Sequence, residues 1–288
     1  MQPIPYYHAD VFSNKPLSGN GLIVFTETTG FSPEFMLRLT QEMRQFESIF
    51  LQALSDRKFR ARVFTCEEEV DFAGHPVLGA AAILHGLYGN GAAECNWEFQ
   101  LNAKTVSVRT QNKNGWTDAL MNQGVAEFEK PLNEEETRNI LSAMNLSPDD
   151  GYPGCSPLVV STGLPYLLLP LQTNGLRAKI MVPDLEERLA RHQAKFIGTL
   201  EMTSLTIRTW DNAGLVEDIA TGSLAGPCGA YLVRQGFREA NEVITLQQGH
   251  NLGRPSELFV ELRKLDGLPG DVYVGGSVVK IASGTILF

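Results

Sequence analysis

Hydrophobic and polar positions along the first fifty residues predict two short strands, a helix and a third strand. Residues 10–12 are strand-like, and the apolar segment 21–25 is typical of a strand. Apolar residues then recur at a spacing of three or four over residues 35–46, which predicts an amphipathic helix. Residues 48–51 form a further apolar strand segment. Glu47 therefore lies where the helix meets a strand, in a position that predicts partial burial of its carboxyl group.

The rest of the chain continues this alternation, which predicts an α/β fold. Asn133 and Glu136 resemble a capping box, so a helix is expected to begin there. Residues 184–197 are also expected to be helical. Further strands are predicted at 59–65, 105–109, 119–121, 158–161 and 166–169.

Two segments rich in small residues resemble each other. AGHPVLGAAAIL in the first half aligns with TGSLAGPCGAYL in the second, and Gly222 then lies 148 positions after Gly74. A strand-like segment precedes each copy, at 62–64 and at 208–210. An offset of about half the chain predicts an internal repeat with one buried helix in each half. Two unrelated buried helices are the alternative interpretation.

The repeat predicts two halves, residues 1–117 and residues 118–277, and a C-terminal strand over 278–288 is expected to join the first half. Each copy places a glycine at the start of a helix, where the first backbone N–H groups lack partners within the helix and the helix dipole is positive. A glycine leaves these groups accessible because it has no Cβ. If the halves face each other, the two helix starts form a site that favours a small anion.

Three titratable residues lie near these helix starts. His75 directly follows Gly74, and the positive helix end should disfavour its imidazolium, so the ring is expected to be neutral near pH 7. Burial of Glu47 would raise its pKa toward the range useful for proton transfer. Asp218 precedes Gly222 by four residues. The chain has 33 acidic residues, so ordinary surface or loop carboxylates are the alternative for both acids.

Composition excludes several classes of partner. The chain has 288 residues, of which 43% are hydrophobic, and a formal net charge of -9 without a dense basic cluster. Nucleic acid and anionic membranes are therefore not expected as partners. The start of the chain resembles no secretory signal, and no apolar segment approaches the ~20 residues that span a bilayer, so a cytoplasmic location is expected. The four cysteines lie far apart, and their spacing suggests neither a zinc site nor a disulfide framework.

Four motifs together resemble the phenazine-biosynthesis isomerase family, called PhzF-like. They are DVF with PLSGN, then ESIF, FAGHP and EDIATGS, and they occur in the family's order over nearly the whole chain. The resemblance implies the diaminopimelate-epimerase fold, in which each of two pseudo-symmetric halves is a sheet curled around a central helix. It also implies a homodimer and an active site in the cleft between the halves that uses no cofactor and no metal.

The resemblance also implies roles for individual residues. Glu47, His75 and Asp218 correspond to the catalytic residues, and the substrate-binding positions are Asn20, Gly74, Gly222 and Ser223. ESIF replaces the more common ETTF, and EDIATG lacks the usual proline after the aspartate. These departures leave the acidic residues in place and put the substrate in doubt.

The hypothesis is therefore an isomerase that moves a proton on a small carboxylate substrate without a cofactor. A metabolite-binding or inactive protein on the same fold is the alternative. A two-thiol amino-acid racemase is disfavoured, because its cysteines would precede the two helix glycines. Ala73 and Thr221 hold those positions and neither can act as a base.

Overall fold

The computed structural model describes residues 3–264 and 270–287. They form a mixed α/β structure of many strands and few helices. The α-helices are α1 (Pro33–Met43), α2 (Gly74–Tyr88), α3 (Glu134–Ala143), α4 (Leu185–Ala190) and α5 (Gly222–Arg234). The first eight strands are β1 (Ile4–Val11), β2 (Asn20–Phe25), β3 (Glu47–Ser55), β4 (Lys58–Thr65), β5 (Glu69–Val70), β6 (Glu94–Gln100), β7 (Thr105–Asn112) and β8 (Thr117–Val125). The remaining strands are β9 (Glu127–Phe128), β10 (Leu158–Ser161), β11 (Pro165–Leu171), β12 (Phe196–Glu201), β13 (Thr206–Thr209), β14 (Val243–Gln248), β15 (Ser256–Arg263) and β16 (Asp271–Ile286).

The chain divides into two compact units. The N-terminal unit comprises Met1–Asn122 with Gly275–Phe288, and the C-terminal unit comprises Gln123–Val274. Both boundaries fall inside strands, β8 and β16, because each of these strands continues from one unit into the other. The boundaries therefore lie a few residues from the predicted ones, at 122/123 instead of 117/118 and at 274/275 instead of 277/278. The predicted strand 278–288 is part of β16, and residue 288 lies outside the described residues.

Strands of the N-terminal unit enclose helix α2. They follow the order β1, β2, β3, β4, β6, β7, β8 and β16, and β16 also pairs with β1, so the ring closes. Every residue of α2 from His75 to His85 is buried. A helix that is apolar on all sides is typical of a core position. Helix α1 packs against β3 and β4 and buries Met36 and Leu39 there.

Helix α5 has the same place in the C-terminal unit. Strands β15, β14, β13, β12, β11, β10 and β9 lie side by side in that order, and α5 packs against β10, β11 and β15. Most of α5 is buried, as in α2. The other helices of this unit, α3 and α4, cover a separate apolar cluster that includes Leu167 and Ile197. The predicted fold class, with one buried helix in each half, is confirmed.

Local signals identified the helices and many of the strands, but two helices end earlier than predicted. The capping box is confirmed, since the Glu136 amide donates to Asn133 Oδ1 at 2.9 Å and the Asn133 amide donates to Glu136 Oε2 at 2.8 Å. The helix predicted over 184–197 is wrong beyond Ala190. Gln193 has a left-handed φ of 60°, and the chain then enters β12, which pairs in parallel with β11. Helix α1 likewise ends at Met43, before the exposed Phe46.

Candidate active site

Glu47 is the first residue of β3 and is buried, with 8% of its surface exposed. It is opposite Leu22 in the parallel pairing with β2 and opposite Thr65 in the antiparallel pairing with β4. These central strands fix its backbone on both sides. The sequence-based expectation of partial burial therefore understates how far the carboxyl group is removed from solvent.

His75 is the second residue of α2 and lies against Glu47. Its Nδ1 atom is 3.3 Å from Glu47 Oε2, and both side chains are about nine-tenths buried. Burial lowers the pKa of His75 from 6.5 to about 3, because the imidazolium would lose its hydration. The ring is therefore neutral near pH 7, as predicted, but the dominant cause is burial rather than the helix dipole. The buried Nε2 atom makes no hydrogen bond with any described residue.

The first N–H groups of α2 have no side-chain cap and could bind an anion. The N-cap residue is Ala73, which has no polar side-chain atom to satisfy the first N–H groups of the helix. A Cβ added at Gly74 would meet only Met121 Cε among the described atoms, at 3.8 Å. Packing therefore does not require a glycine here, and no side chain at position 74 covers the first amides of α2.

Asn20 lies at the same edge of the sheet as Glu47. It is the first residue of β2, two positions before Leu22, and it is 2% exposed. The preceding loop is held by Asp10, whose Oδ2 accepts a hydrogen bond from the Leu17 amide at 2.7 Å. The motif PLSGN thus serves to bring Asn20 to the start of β2. Asn20, Gly74, His75 and Glu47 all belong to the N-terminal unit.

The remaining predicted residues belong to the C-terminal unit, where a hydrogen-bond network holds Asp218. Its Oδ2 atom accepts from Thr221 Oγ1 at 2.6 Å, and its amide donates to Thr209 O at 3.0 Å. The amide of Gln248, which is fully buried, spans the same segment: Nε2 donates to Asp218 O at 3.0 Å, and Oε1 accepts from the Thr221 amide at 2.8 Å. Sequence reasoning missed Gln248 because it lies 30 residues away, on β14.

Ser223 is the second residue of α5, the position that His75 occupies in α2. Its Oγ atom is 2.9 Å from the hydroxyl of Tyr166 on β11. Burial raises the pKa of Tyr166, so this hydroxyl stays protonated at neutral pH. Gly222 O accepts from Gln123 Nε2 at 3.1 Å. Sequence analysis missed Tyr166 and Gln123, since neither lies near the motif in the chain.

The thiols are not placed for racemase chemistry. Ala73 and Thr221 are the N-cap residues of α2 and α5, and the Thr221 hydroxyl donates to Asp218. Cys66 is exposed, whereas Cys228 is buried within α5, where desolvation raises its pKa. Across residues 3–264 and 270–287, no group of three or more His, Cys, Asp or Glu side chains is arranged to hold a metal ion. None of the described helices is long and apolar enough to cross a membrane.

The chain has two α/β units, and each contains a buried central helix that begins with a glycine and has no side-chain N-cap hydrogen bond. This arrangement is the diaminopimelate-epimerase class of fold. The chain belongs to the phenazine biosynthesis-like protein family, PhzC-PhzF, whose profile matches residues 9–284. The resemblance found in the sequence motifs is thus confirmed.

Three relatives illustrate the similarity. The trans-2,3-dihydro-3-hydroxyanthranilate isomerase of Pseudomonas fluorescens is 30% identical over 98% of this chain and 99% of its own. The uncharacterized isomerase YddE of Salmonella typhimurium is 30% identical over 95% of each chain. The solved structure of a predicted epimerase from Pseudomonas aeruginosa is 46% identical, covers 99% of each chain and has a TM-score of 0.90.

Proposed function

We propose that this protein is an isomerase that moves a proton between two carbon atoms of a small carboxylate substrate by acid/base catalysis, without a cofactor. The observation that carries the proposal is the buried pair of Glu47 and a neutral His75, at 3.3 Å, at the start of α2. Relatives named as isomerases, alike over nearly the full chain, support the reaction class.

Glu47 is the proton carrier in this proposal. Its carboxylate takes a proton from an acidic C–H beside a double bond, the double bond shifts, and the same carboxyl group returns the proton to another carbon on the same face. General acid/base catalysis of this kind contributes about 10²–10⁴-fold. In the proposed complex with substrate, His75 Nδ1, which lies 3.3 Å from Glu47 Oε2, donates to the carboxylate, and Nε2 then accepts from a donor group of the substrate.

The substrate carboxylate binds at the helix starts. The amides near Gly74 and Gly222 lie at the positive ends of α2 and α5, where anions are stabilised. Tyr166 donates to Ser223 Oγ in this proposal, which leaves the serine hydroxyl able to donate to the carboxylate. Asp218 orients the substrate. That the two groups of residues act on one substrate in a shared cleft stays a prediction, as do the homodimer and the cytoplasmic location.

The substrate proposed for this chain is a small cyclic amino acid with two conjugated double bonds. The compound named for the Pseudomonas fluorescens relative is one member of the assay set. The changes in the ESIF and EDIATG motifs alter the surroundings of Glu47 and Asp218. The assay set therefore also includes related cyclic amino-acid dienes, which are expected as substrates equally with that compound.

Solvent deuterium exchange tests the proposal. Glu47→Gln keeps the shape of the side chain and removes the base, so turnover and incorporation of deuterium into substrate should fall by at least about 10²-fold. Binding of a carboxylate analogue, which depends on the helix starts, should change little. Glu42→Gln is the matched control, since this glutamate is exposed on α1.

Two results would contradict the proposal. Full exchange in Glu47→Gln would show that another group is the base. Absence of turnover and of exchange in the wild-type protein with every diene, together with binding of those dienes, would favour the metabolite-binding alternative.

A further inference from the structure

The N-terminal unit contains a four-residue cluster beside the segment that leads into α2. Arg62 on β4 donates to Glu69 through two parallel hydrogen bonds, Nε to Oε1 at 2.8 Å and Nη2 to Oε2 at 2.5 Å. The same guanidinium lies 5.4 Å from the ring centroid of Phe64. Asn102 Nδ2 donates to Glu69 Oε1 at 2.8 Å. The glutamate is thus held by an arginine and by an asparagine.

The C-terminal unit contains the same arrangement beside the segment that leads into α5. Arg208 on β13 donates to Glu217, Nε to Oε1 at 2.8 Å and Nη2 to Oε2 at 2.7 Å. Its guanidinium lies 4.7 Å from the ring centroid of Trp210. Asn251 Nδ2 donates to both carboxylate oxygens of Glu217, at 3.0 and 3.2 Å. The arginine, glutamate and asparagine match those of the first cluster, Trp210 takes the place of Phe64, and the two Arg–Glu hydrogen bonds join the same pairs of atoms.

The backbone around the two clusters also matches. Phe64 is opposite Glu69 in an antiparallel pairing, and Trp210 is opposite Glu217 in an antiparallel bridge. Each glutamate lies five residues before the first residue of its buried helix. The intervening loop is two residues longer in the second copy, because Arg208 and Glu217 are nine positions apart whereas Arg62 and Glu69 are seven apart. An internal repeat that changed most of its side chains has therefore kept this cluster in both copies.

Both ion pairs are shielded from solvent. The side chains of Arg62 and Glu69 are each 22% exposed, and those of Arg208 and Glu217 are 8% and 12% exposed. A bidentate charge-assisted pair is among the stronger polar contacts and also fixes geometry. Arg208 Nη1 in addition donates to the carbonyls of Gly175 and Ala178, at 2.5 and 3.2 Å. The cluster is thus anchored to the surrounding backbone.

The segments held by these clusters carry residues of the proposed site. Asp218 directly follows Glu217, and its amide donates to the carbonyl of Thr209, the neighbour of Arg208. The segment after Glu69 leads through Ala73 into Gly74 and His75. A change in either glutamate would therefore release the backbone next to a site residue without removing that residue.

We infer that the two clusters are paired ionic clamps, Arg62–Glu69–Asn102 and Arg208–Glu217–Asn251, which fix the segments entering α2 and α5 and thereby position His75 and Asp218. Glu69 and Glu217 are positioning residues and do not touch the substrate. The catalytic part of this inference rests on the proposed function, whereas the clamping of the two segments does not.

Amide hydrogen exchange of the full-length protein tests the clamps without any substrate. In Glu217→Gln, peptides covering residues 211–221 should exchange about tenfold faster, while peptides covering 66–73 keep the wild-type rate. Glu69→Gln should give the reverse pattern. Glu261→Gln is the matched control. It also breaks an Arg–Glu pair, because Glu261 on β15 bonds Arg263, whose guanidinium lies 4.0 Å from the centroid of the Tyr273 ring. This variant should change the exchange rate of neither segment. Unchanged exchange in both clamp variants would overturn the inference.

Kinetics on the substrate found for the wild-type protein test the positioning role. Glu217→Gln should lower kcat by about tenfold, yet should have less than about a twofold effect in an Asp218→Asn background, because the group it positions is then already lost. A general loss of stability would lower activity equally in both backgrounds, and that result would overturn the positioning role. Faster exchange without wild-type turnover would contradict the proposed function and leave the clamps supported.

Milder variants cover the case in which a glutamine variant does not fold. Asn251→Ala removes both hydrogen bonds from this side chain to Glu217, and Asn102→Ala removes the bond to Glu69 together with the one that Asn102 accepts from Arg60. Both variants keep the ion pair, and both asparagines are exposed. Each should raise the exchange rate of its own segment only. Equal changes in both segments, or in neither, would contradict separate clamps.

Discussion

At the scale of single residues, the proposed function depends on the arrangement of Glu47 and His75. Both are buried, and His75 is neutral because desolvation opposes its charge. The 3.3 Å contact between them is therefore not an ion pair near pH 7. A neutral imidazole beside the carboxyl group can donate at one nitrogen and accept at the other, which suits orientation of a substrate around a proton carrier.

The depressed pKa of His75 predicts how stability depends on pH. The unfolded histidine binds a proton below about pH 6.5, whereas the folded one stays neutral down to about pH 3. Between these values the unfolded state binds more protons, so the free energy of unfolding decreases as pH falls through this window. The full stability is present above pH 6.5. His75 should contribute a slope of up to about 1.4 kcal/mol per pH unit.

Urea unfolding of the wild-type protein and of His75→Gln, at about pH 7.5 and about pH 4.5, measures this contribution. The variant should lose less stability than the wild-type protein over that interval. Equal losses in the two proteins would show that His75 is protonated in the folded state, and the neutral role assigned to it would then be wrong.

At the scale of elements, small residues let α2 and α5 lie inside their units. Gly79 on α2 faces β1 and β2: a Cβ there would overlap with Leu22 Cδ2 and lie 2.9 Å from Val11 Cγ2. Gly86 on the same helix has no described atom within 4 Å of an added Cβ. Packing therefore requires a glycine at position 79 but not at position 86, although glycine lowers helix propensity at both positions.

This difference predicts opposite effects for the same substitution. Gly79→Ala should destabilise the protein by about 1–3 kcal/mol, because the methyl group displaces packed side chains. Gly86→Ala should stabilise it by up to about 1 kcal/mol, since alanine favours the helix and meets no neighbour. Thermal or urea unfolding of both variants checks the pair. A stabilising Gly79→Ala would mean that α2 is packed less tightly against β1 and β2 than the structure shows.

At the scale of the whole molecule, the two copies of the internal repeat share side-chain contacts as well as a buried helix. His75 and Ser223 occupy the same helix position, and the two Arg–Glu pairs bond through the same atoms. The two copies nevertheless differ in chemistry, because one presents a buried carboxyl group with an imidazole and the other presents a hydroxyl with a loop carboxylate. Neither copy places a thiol before its glycine, where Ala73 and Thr221 are found.

This asymmetry predicts that the cysteines are dispensable for catalysis. A variant with Cys66 and Cys155 replaced by Ser, and Cys95 and Cys228 replaced by Ala, should keep turnover within about tenfold of wild type if it remains folded. Circular dichroism establishes folding, and the diene assay measures turnover. A folded variant without activity would favour thiol chemistry and contradict the role proposed for Glu47.

The sequence alone determined those features that depend on neighbours in the chain. The capping box of α3, strand β10, the two glycine-led helices and the family follow from local patterns, because capping, periodicity and turn chemistry act over a few residues. The same local reasoning wrongly extended α4 into β12. It failed there because pairing with the distant strand β11 makes that segment a strand.

Only the tertiary structure decided which distant side chains meet. Glu47 and His75 are 28 residues apart, and Tyr166 and Ser223 are 57 apart, yet each pair is in contact because a sheet register and a helix start bring them together. Burial, and with it the low pKa of His75, likewise comes from the strands closed around α2. A pKa depends on the surrounding solvent and charges, which no local pattern of residues specifies.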